Sequence, residues 1–185
     1  MKCSHFHALF AAIAIGLVCC STFAQKAPNQ SPGLCEAHEE SVFSCTLQGP
    51  GRKSVSLCAS AKSAQGERSF RYLYGRPSKI ELEYPKGGSS NADAFSRTHL
   101  LFAGNTGGYA YAFTNGGFKY ILYAISGTGF ERSGVLVQRE GQMRANRDMH
   151  CKDSTLVEAS HELWDAASKW KVDADIDAHG LPSID

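Results

Sequence analysis

Phe118-Lys-Tyr-Ile-Leu-Tyr-Ala-Ile125 decides the fold, because this stretch is apolar on both of its alternating faces. Successive side chains of a strand point to opposite sides of a sheet. The two faces are Phe118, Tyr120, Leu122 and Ala124 on one side, and Ile121, Tyr123 and Ile125 on the other. A strand that is apolar on both faces is typical of a sheet covered on both sides. We therefore predict that this segment is a central, doubly covered strand.

Shorter alternating segments flank this strand and are separated by turns rich in glycine and proline. Close strand pairs with such turns between them indicate antiparallel hairpins. The sequence therefore predicts a mainly β fold, an antiparallel barrel or sandwich. The predicted strands are Val42–Gln48, Val55–Cys58, Phe70–Tyr74, Ile80–Tyr84, Phe95–Ala103, Tyr109–Thr114, Gly134–Arg139 and Met143–Cys151.

The periodicity changes after Cys151, where apolar residues begin to recur at helical spacing. That spacing indicates one amphipathic α-helix packed on the sheet. Thr155 followed by Glu158 matches a capping box and predicts where this helix starts. Residues 171–185 are polar and are expected to form a flexible tail. The apolar positions of the predicted helix are Leu156, Ala159, Leu163, Ala167 and Trp170.

Residues 1–24 have the order of features of a secretory signal peptide. Lys2 precedes a nearly continuous apolar run, and small residues including Ala24 follow it. The run is shorter than the roughly 20 residues of a membrane span. We predict cleavage after Ala24, a flexible leader over 25–33 and a single β-rich domain with its C-terminal helix over 34–170. The mature protein is then periplasmic or secreted and has no transmembrane span.

Leu17-Val18-Cys19-Cys20 offers a second interpretation of the same region. It approximates a lipoprotein processing site at which Cys20 would carry the lipid anchor. Cys19 occupies the preceding position, where such sites usually have glycine, alanine or serine. The mature protein would then be tethered, and a structural or lipid-anchored envelope component is the corresponding alternative function.

Charge excludes one class of partner. The chain has 19 Lys and Arg against 18 Asp and Glu, and only Lys2 lies in the predicted signal. The mature chain therefore has 18 of each sign and no basic excess. Nucleic-acid binders usually show a strong basic excess, so we expect no nucleic-acid partner.

Four cysteines, Cys35, Cys45, Cys58 and Cys151, remain after removal of the signal. An even number of cysteines in an exported chain predicts disulfides, here two. A zinc site is disfavoured because no CxxC pair is present. We expect neither a metal nor another cofactor.

The strand pattern also bears on disulfide pairing. Phe43 and Cys45 share one face of their strand, whereas Cys58 points away from the apolar face of the next strand. If the two strands form a hairpin with both apolar faces inward, Cys45 and Cys58 lie on opposite faces. We therefore expect each of them to bond elsewhere, with Cys35 and Cys151 as the candidates.

Two segments approximate metal-binding motifs. His161-Glu-Leu-Trp-Asp165 resembles a zinc-protease helix in which the second histidine is replaced. A solvated ion pair at i,i+4 is the favoured interpretation. Asp173-Ala-Asp175-Ile-Asp177 matches the start of a calcium loop, but Ala178 and Ile184 occupy the positions that need glycine and an acidic residue. We interpret these aspartates as part of the acidic tail.

The remaining candidates are loop and aromatic residues. Loops on a rigid scaffold concentrate binding residues, and the polar loops at 85–97 and 105–108 are the clearest ones. The aromatic residues of the strand after the second loop are most simply sheet core, and their functional interpretation is a partly exposed surface for a protein or glycan. The predicted binding residues are Ser89, Asn91, Asn105, Thr106, Tyr109 and Tyr111.

Several short segments together resemble an uncharacterised family of small exported bacterial proteins, over about residues 35–151. They are Val42-Phe-Ser-Cys45, Ser54-Val-Ser-Leu-Cys58, Tyr72-Leu-Tyr-Gly75, Ile80-Glu-Leu-Glu-Tyr-Pro85 and Gly134-Val-Leu-Val137. That resemblance implies an envelope location and no particular activity. In size, export, cysteine usage and the strands from Gly108 to Tyr123, the chain is also similar to the periplasmic inhibitors of c-type lysozyme, a likeness at the level of fold.

These observations favour a non-enzymatic binding protein of the bacterial envelope, an inhibitor or immunity protein against a wall-degrading enzyme. No GxSxG elbow or other catalytic motif is present, so we assign no catalytic residue. The enzyme alternative is a hydrolase whose residues meet only in the fold, because the mature histidines are scattered. These are His38, His99, His150, His161 and His179.

Overall fold

The computed structural model describes residues 33–88 and 92–184. The predicted signal peptide with Cys20, nearly all of the predicted leader, and the candidates Ser89 and Asn91 lie outside these ranges. The elements are β1 (Glu40–Thr46), β2 (Ser54–Ala59), β3 (Phe70–Arg76), β4 (Lys79–Tyr84), a 3₁₀ turn (Ala92–Ala94), β5 (Ser96–Phe102), β6 (Thr106–Asn115), β7 (Phe118–Gly127), β8 (Phe130–Arg139), β9 (Ala145–His150), β10 (Val157–Glu158), α1 (His161–Ala167) and α2 (Ala174–His179).

The strands form two antiparallel five-stranded sheets that pack face to face. The first sheet has the order β10-β1-β2-β3-β4, and the second has the order β5-β6-β7-β8-β9. The predicted β fold is confirmed, and within the described residues it is a sandwich, not a closed barrel. β7 lies in the middle of the second sheet, as its two apolar faces predicted.

Aromatic residues fill one end of the space between the sheets. The Phe113 ring lies 4.5 Å from Tyr84 and 5.0 Å from Tyr120, centroid to centroid, and is stacked on both. Tyr72 and Phe95 complete the cluster at 4.7 Å and 5.6 Å from Phe113. We call this aromatic cluster the closed end of the sandwich. Pairs of this kind add about 0.5–1.5 kcal/mol beyond the area they bury.

Cys45 and Cys58 do not bond each other, as the strand pattern predicted, and the structure gives the pairing that the sequence left open. Cys45 lies in the core and bonds Cys151, with 5.7 Å between their Cα atoms. Cys58 lies on the outer face of the first sheet and bonds Cys35, with 5.5 Å between their Cα atoms. The first bond connects the two sheets, because β9 ends just before Cys151. The second holds the start of the described chain on the first sheet.

The C-terminal segment differs from the flexible tail that the sequence predicted over 171–185. Residues 174–179 form α2, and Ile176 is buried against the outer face of the second sheet. The physical reason is that β7 is apolar on both faces, so its outer face needs a cover. Lys119 anchors the cover, since its ammonium lies 2.9 Å from Asp173 and 2.8 Å from Asp175.

The predicted C-terminal helix is present, but it starts later than the capping box indicated. Ser160 caps α1 by accepting a hydrogen bond from the Leu163 amide. Thr155 does not cap it, because its hydroxyl accepts from the Thr46 amide and donates to the Lys152 carbonyl. Val157–Glu158 pairs with β1 as strand β10. The described ranges contain no helix of the length and hydrophobicity that crossing a membrane would take.

Candidate functional site: a cleft at the open end of the sandwich

The second sheet extends beyond the first at the end opposite the aromatic cluster. β6, β7 and β8 have 10 residues each, whereas strands β1 to β4 have 6 or 7. The extra residues of β6, β7 and β8 have no strand of the first sheet opposite them, so the inner face of the second sheet is uncovered near Gly107, Ser126 and Glu131. We call this region the open end. It follows directly from unequal strand lengths.

A cleft of about 920 Å³ lies between the open end and the segment 151–164. Its floor comes from the inner face of the second sheet, where Ser133 pairs with Ala124 in the ladder. Gly108 beside the floor cannot carry a side chain, because a Cβ atom there would overlap the Ala124 carbonyl oxygen. The residues that define the open cleft are Tyr109, Ala124, Ser126 and Ser133 on the floor, and Lys152, Asp153, Leu156, Glu158 and Trp164 on the wall.

Tyr109 connects the floor of the open cleft to its wall. Its hydroxyl donates a hydrogen bond of 2.9 Å to the Glu158 carboxylate. Its ring stands nearly perpendicular to that of Trp164, with 4.9 Å between the ring centroids. Burial raises the pKa of the Tyr109 phenol far above its ordinary value, and the nearby Glu158 charge raises that pKa further. Tyr109 is therefore a neutral donor at every physiological pH.

Arg97 stacks on the Trp164 ring. The central carbon of its guanidinium lies 4.0 Å from the Trp164 centroid and 6.0 Å from that of Tyr109. Within the described residues the guanidinium has no ion pair, so the ring faces are its main partners. Cation–π contacts of partly desolvated arginine contribute about 0.5–2 kcal/mol. The stack fixes the position of the wall of the open cleft.

Tyr111 lies behind Tyr109, away from the open cleft. Its side chain is fully buried, and its hydroxyl has no hydrogen-bond partner of good geometry among the described residues. Burial raises the pKa of Tyr111, and the positive charge of Arg97 opposes that rise. Tyr111 is therefore a core residue, as the simpler interpretation of the aromatic strand indicated.

A polar network, here called the rim network, lies where β8 and β9 pair, and its side chains project from the outer face of the second sheet. Asp148 accepts a hydrogen bond of 2.8 Å from the Tyr123 hydroxyl and pairs with Arg132 at 2.5 Å. His150 lies 3.4 Å from the same carboxylate. The absence of a side chain at Gly134 leaves room for the Tyr123 hydroxyl to reach Asp148, because a Cβ atom at Gly134 would lie 3.0 Å from the Tyr123 hydroxyl oxygen. Burial raises the pKa of Tyr123, and its bond to Asp148 adds to the rise.

The predicted binding residues have different positions. Tyr109 lies on the floor of the open cleft and is almost fully buried. Asn105 and Thr106 lie at the β5–β6 turn, beside the open cleft and not in it. Sequence reasoning missed Trp164, Glu158 and the rim network. Trp164 could have been noticed, because it is a large aromatic residue off the apolar face of the predicted helix.

The two segments that approximate metal motifs have structural roles. The His161 ring and the Asp165 carboxylate lie 3.3 Å apart on an exposed helix face, the i,i+4 contact that the favoured interpretation predicted. Asp173 caps α2, and both Asp173 and Asp175 bind Lys119, so these aspartates are arranged in a helix start and not in a calcium loop. In residues 33–88 and 92–184, a further cluster of potential ligands contains Cys35 and Cys58, whose sulfurs are bonded to each other.

The chemistry of the open cleft suits a ligand of mixed polarity. Hydroxyls and an aromatic edge line its floor and wall, and charges of both signs border it, from Glu131 and Asp153 to Arg132 and Lys152. Comparison of the chain with protein-family models, with curated proteins and with solved structures gave no match. The resemblances described above therefore stay predictions that rest on the sequence alone.

Proposed function

We propose that this protein is an exported, non-enzymatic binding protein of the bacterial envelope, whose open cleft receives a protruding loop of a partner protein. The observation that carries the proposal is the cleft of about 920 Å³, whose floor and wall come from different parts of the chain. Concave sites of this size occur where ligands bury most of their surface.

Pre-organisation supports the proposal. Cys151 borders the open cleft and is bonded to Cys45 in the opposite sheet, so the relative position of floor and wall is fixed. The Arg97–Trp164 stack immobilises the wall on its other side. A site that is rigid before binding loses little conformational entropy on binding.

The surface chemistry favours a protein over a nucleic acid. The mature chain carries 18 charges of each sign, and the border of the open cleft mixes the two signs in the same way. Mixed charge around an aromatic and hydroxyl-lined centre is the usual arrangement of a protein interface. The signal sequence and the disulfides support export, and the predicted envelope location favours a wall-degrading enzyme as the partner, which would make this protein its inhibitor or immunity protein.

A matched pair of variants on one strand pair of the second sheet tests the proposal. Ser126 is exposed on the floor of the open cleft, and Thr114 is exposed at the opposite end of β6. Ser126→Arg fills the open cleft, whereas Thr114→Arg adds the same side chain far from it. The mature protein is used as bait in periplasmic extract and as an inhibitor of c-type lysozyme.

We expect wild type and Thr114→Arg to capture the same partner or to inhibit lysozyme. We expect Ser126→Arg to weaken that activity roughly a hundredfold, as the loss of a central interface site does. Equal activity of both variants, or neither capture nor inhibition by wild type, would contradict the proposal. Circular dichroism of each variant checks that the fold is intact.

A hydrolase is the second candidate, and the rim network is the observation that favours it. His150 lies 3.4 Å from the half-buried Asp148 on the outer face of the second sheet, and His150 also borders the open cleft. A carboxylate that orients a histidine is one half of a catalytic arrangement. Assays with peptidoglycan, peptide and ester substrates decide between the candidates. Turnover by wild type that is lost in His150→Ala would establish the hydrolase and overturn the binding-only proposal.

A further inference from the structure

The two sheets have four outer edges, and three of them are protected against pairing with another strand. β10 has only 2 residues. β4 carries the charged side chains Lys79, Glu81 and Glu83. β9 carries charged residues, and its start is covered because the Ala145 amide donates to the Ser183 carbonyl. Short length, charge and a covering segment are the usual means by which proteins block an edge strand.

β5 is the fourth edge, and only its first half is covered by the described residues. The Arg97 amide donates 2.9 Å to the Lys171 carbonyl, and the Thr98 hydroxyl accepts from the Asp173 amide at 3.2 Å. The backbone of Arg97 therefore points away from β6. Since alternate residues of a strand direct their backbone groups the same way, His99 and Leu101 also point their N–H and C=O groups outward. Within residues 33–88 and 92–184, no hydrogen bond satisfies them.

The uncovered half of β5 is also apolar and uncharged. Leu101 is 78% exposed and Phe102 is 41% exposed. The run from His99 to Thr106 contains no aspartate, glutamate, lysine or arginine. An edge strand that combines free backbone groups with exposed apolar side chains is a template for a further strand. We call His99–Phe102 the free edge.

We propose that the free edge pairs with the free edge of a second copy of this chain in antiparallel orientation. With the two-fold axis beside Leu100, His99 lies opposite Leu101 of the second copy. Both of these residues direct their backbone groups outward, so this register forms about four main-chain hydrogen bonds. The second sheet then continues through both molecules.

Charge and shape favour a second copy as the occupant. An isologous contact must be complementary to itself, and in this register no charged side chain faces a like charge across the axis. Exposed Leu101 lies beside His99 of the other copy on the same face, which removes its side chain from water. The pairing is limited to the free edge, because Lys171 covers β5 at Arg97 and the β5–β6 turn ends the strand after Phe102. So small a contact forms a weak, concentration-dependent dimer.

Sedimentation and amide hydrogen exchange of the mature protein test the proposal. We expect a dimer at about 1 mM that dissociates towards about 10 µM. The His99 and Leu101 amides should be protected in the dimer and should lose that protection on dilution. Leu101→Lys places a charge at the free edge and should abolish both effects. Ile80→Lys makes the same kind of change on the β4 edge, where Ile80 is 42% exposed, and should leave the dimer unchanged.

Three results would overturn the proposal. The first is a monomer at all concentrations up to about 1 mM. The second is a dimer that Leu101→Lys leaves intact while its circular dichroism matches wild type. The third is protection of the two amides in a monomer that disappears when residues 25–32 are deleted, since that segment would then be the occupant of the free edge.

Discussion

β6 passes through both ends of the sandwich, and its inner residues show how different the two ends are. Phe113 at the closed end contacts four other aromatic rings within 5.6 Å. Gly107 at the open end has no side chain, and Tyr109, two residues further along, contacts the Glu158 carboxylate and the ring of Trp164. One strand therefore supplies both a tightly packed core and the floor of a cleft.

This difference indicates that the residues that stabilise the fold lie at one end of the strands and the residues that we expect to bind a partner lie at the other. The closed end buries apolar area, which is the dominant favourable contribution to folding. The open end leaves hydroxyls, charges and backbone exposed, and it is held in position by Cys45–Cys151 and by the Arg97 stack. Substitutions at the closed end should thus change stability most, and substitutions at the open end should change binding most.

The largest effect is expected from the disulfide that joins the two sheets beside the open cleft. Cys45–Cys151 closes a separation of 106 residues, and Cys35–Cys58 closes one of 23. On the chain-entropy estimate, removing the first with paired alanines should cost about 4–5 kcal/mol, and removing the second about 3 kcal/mol. Urea unfolding of both double variants measures this, and an equal or reversed order would show that the long crosslink is not the main constraint.

Phe113→Ala tests the closed end alone. Phe113 is buried among the aromatic rings, so truncation leaves a cavity and should cost about 3–4 kcal/mol of unfolding free energy. Trp164→Ala is the comparison at the open end. Because Trp164 is only half-buried, Trp164→Ala should lower the free energy of unfolding by about 2 kcal/mol. A larger loss for Trp164→Ala would reverse the assignment of stability to the closed end.

Tyr109→Phe removes only the hydrogen bond across the open cleft. The free energy of unfolding should fall by about 1 kcal/mol, because water can still solvate the exposed Glu158 carboxylate after the hydrogen bond is lost. Glu158→Gln is the control, since an amide oxygen can still accept the bond. Chemical denaturation of the three proteins gives the values, and a Tyr109→Phe loss as large as that of Phe113→Ala would mean that the open end is part of the core.

The smallest effect concerns the α2 anchor near the closed end. The hydrogen bond from Lys119 lowers the pKa of Asp175, and the Lys119 charge lowers it further. A lowered folded-state pKa gives stabilisation that is present above the unfolded pKa and is lost as the pH falls through the folded one. NMR titration should find Asp175 below the ordinary aspartate range in wild type and back within it in Lys119→Met. An unchanged midpoint in the variant would exclude this pair as the anchor.

Local patterns predicted most of the fold. The alternation in Phe118–Ile125 placed β7 correctly. The opposite faces of Cys45 and Cys58 correctly predicted that these two cysteines do not bond each other, but left open which of them bonds Cys35 and which bonds Cys151. The errors came from long-range contacts. Val157–Glu158 became a strand because β1 offered it an edge, and 171–184 became ordered because the outer face of the second sheet needed a cover.

The candidate site could be predicted only in part, for the same reason. Tyr109 stood out in an aromatic strand, but its partners Glu158 and Trp164 lie about 50 residues further along the chain and meet it only in the fold. The length difference between the sheets, which creates the open cleft, depends on how strands from distant segments align. No local motif encodes that alignment.

Native-state hydrogen exchange along β6 tests the contrast between the two ends most directly, because one strand samples both. Amides with few buried contacts around them exchange through local opening, and those in the core exchange only on global unfolding. We predict that the Tyr111 and Phe113 amides exchange with the free energy of global unfolding and that the Gly107 amide exchanges with a clearly smaller one. The same free energy at all three positions would contradict the separation of a stabilising closed end from an open end that is free to bind.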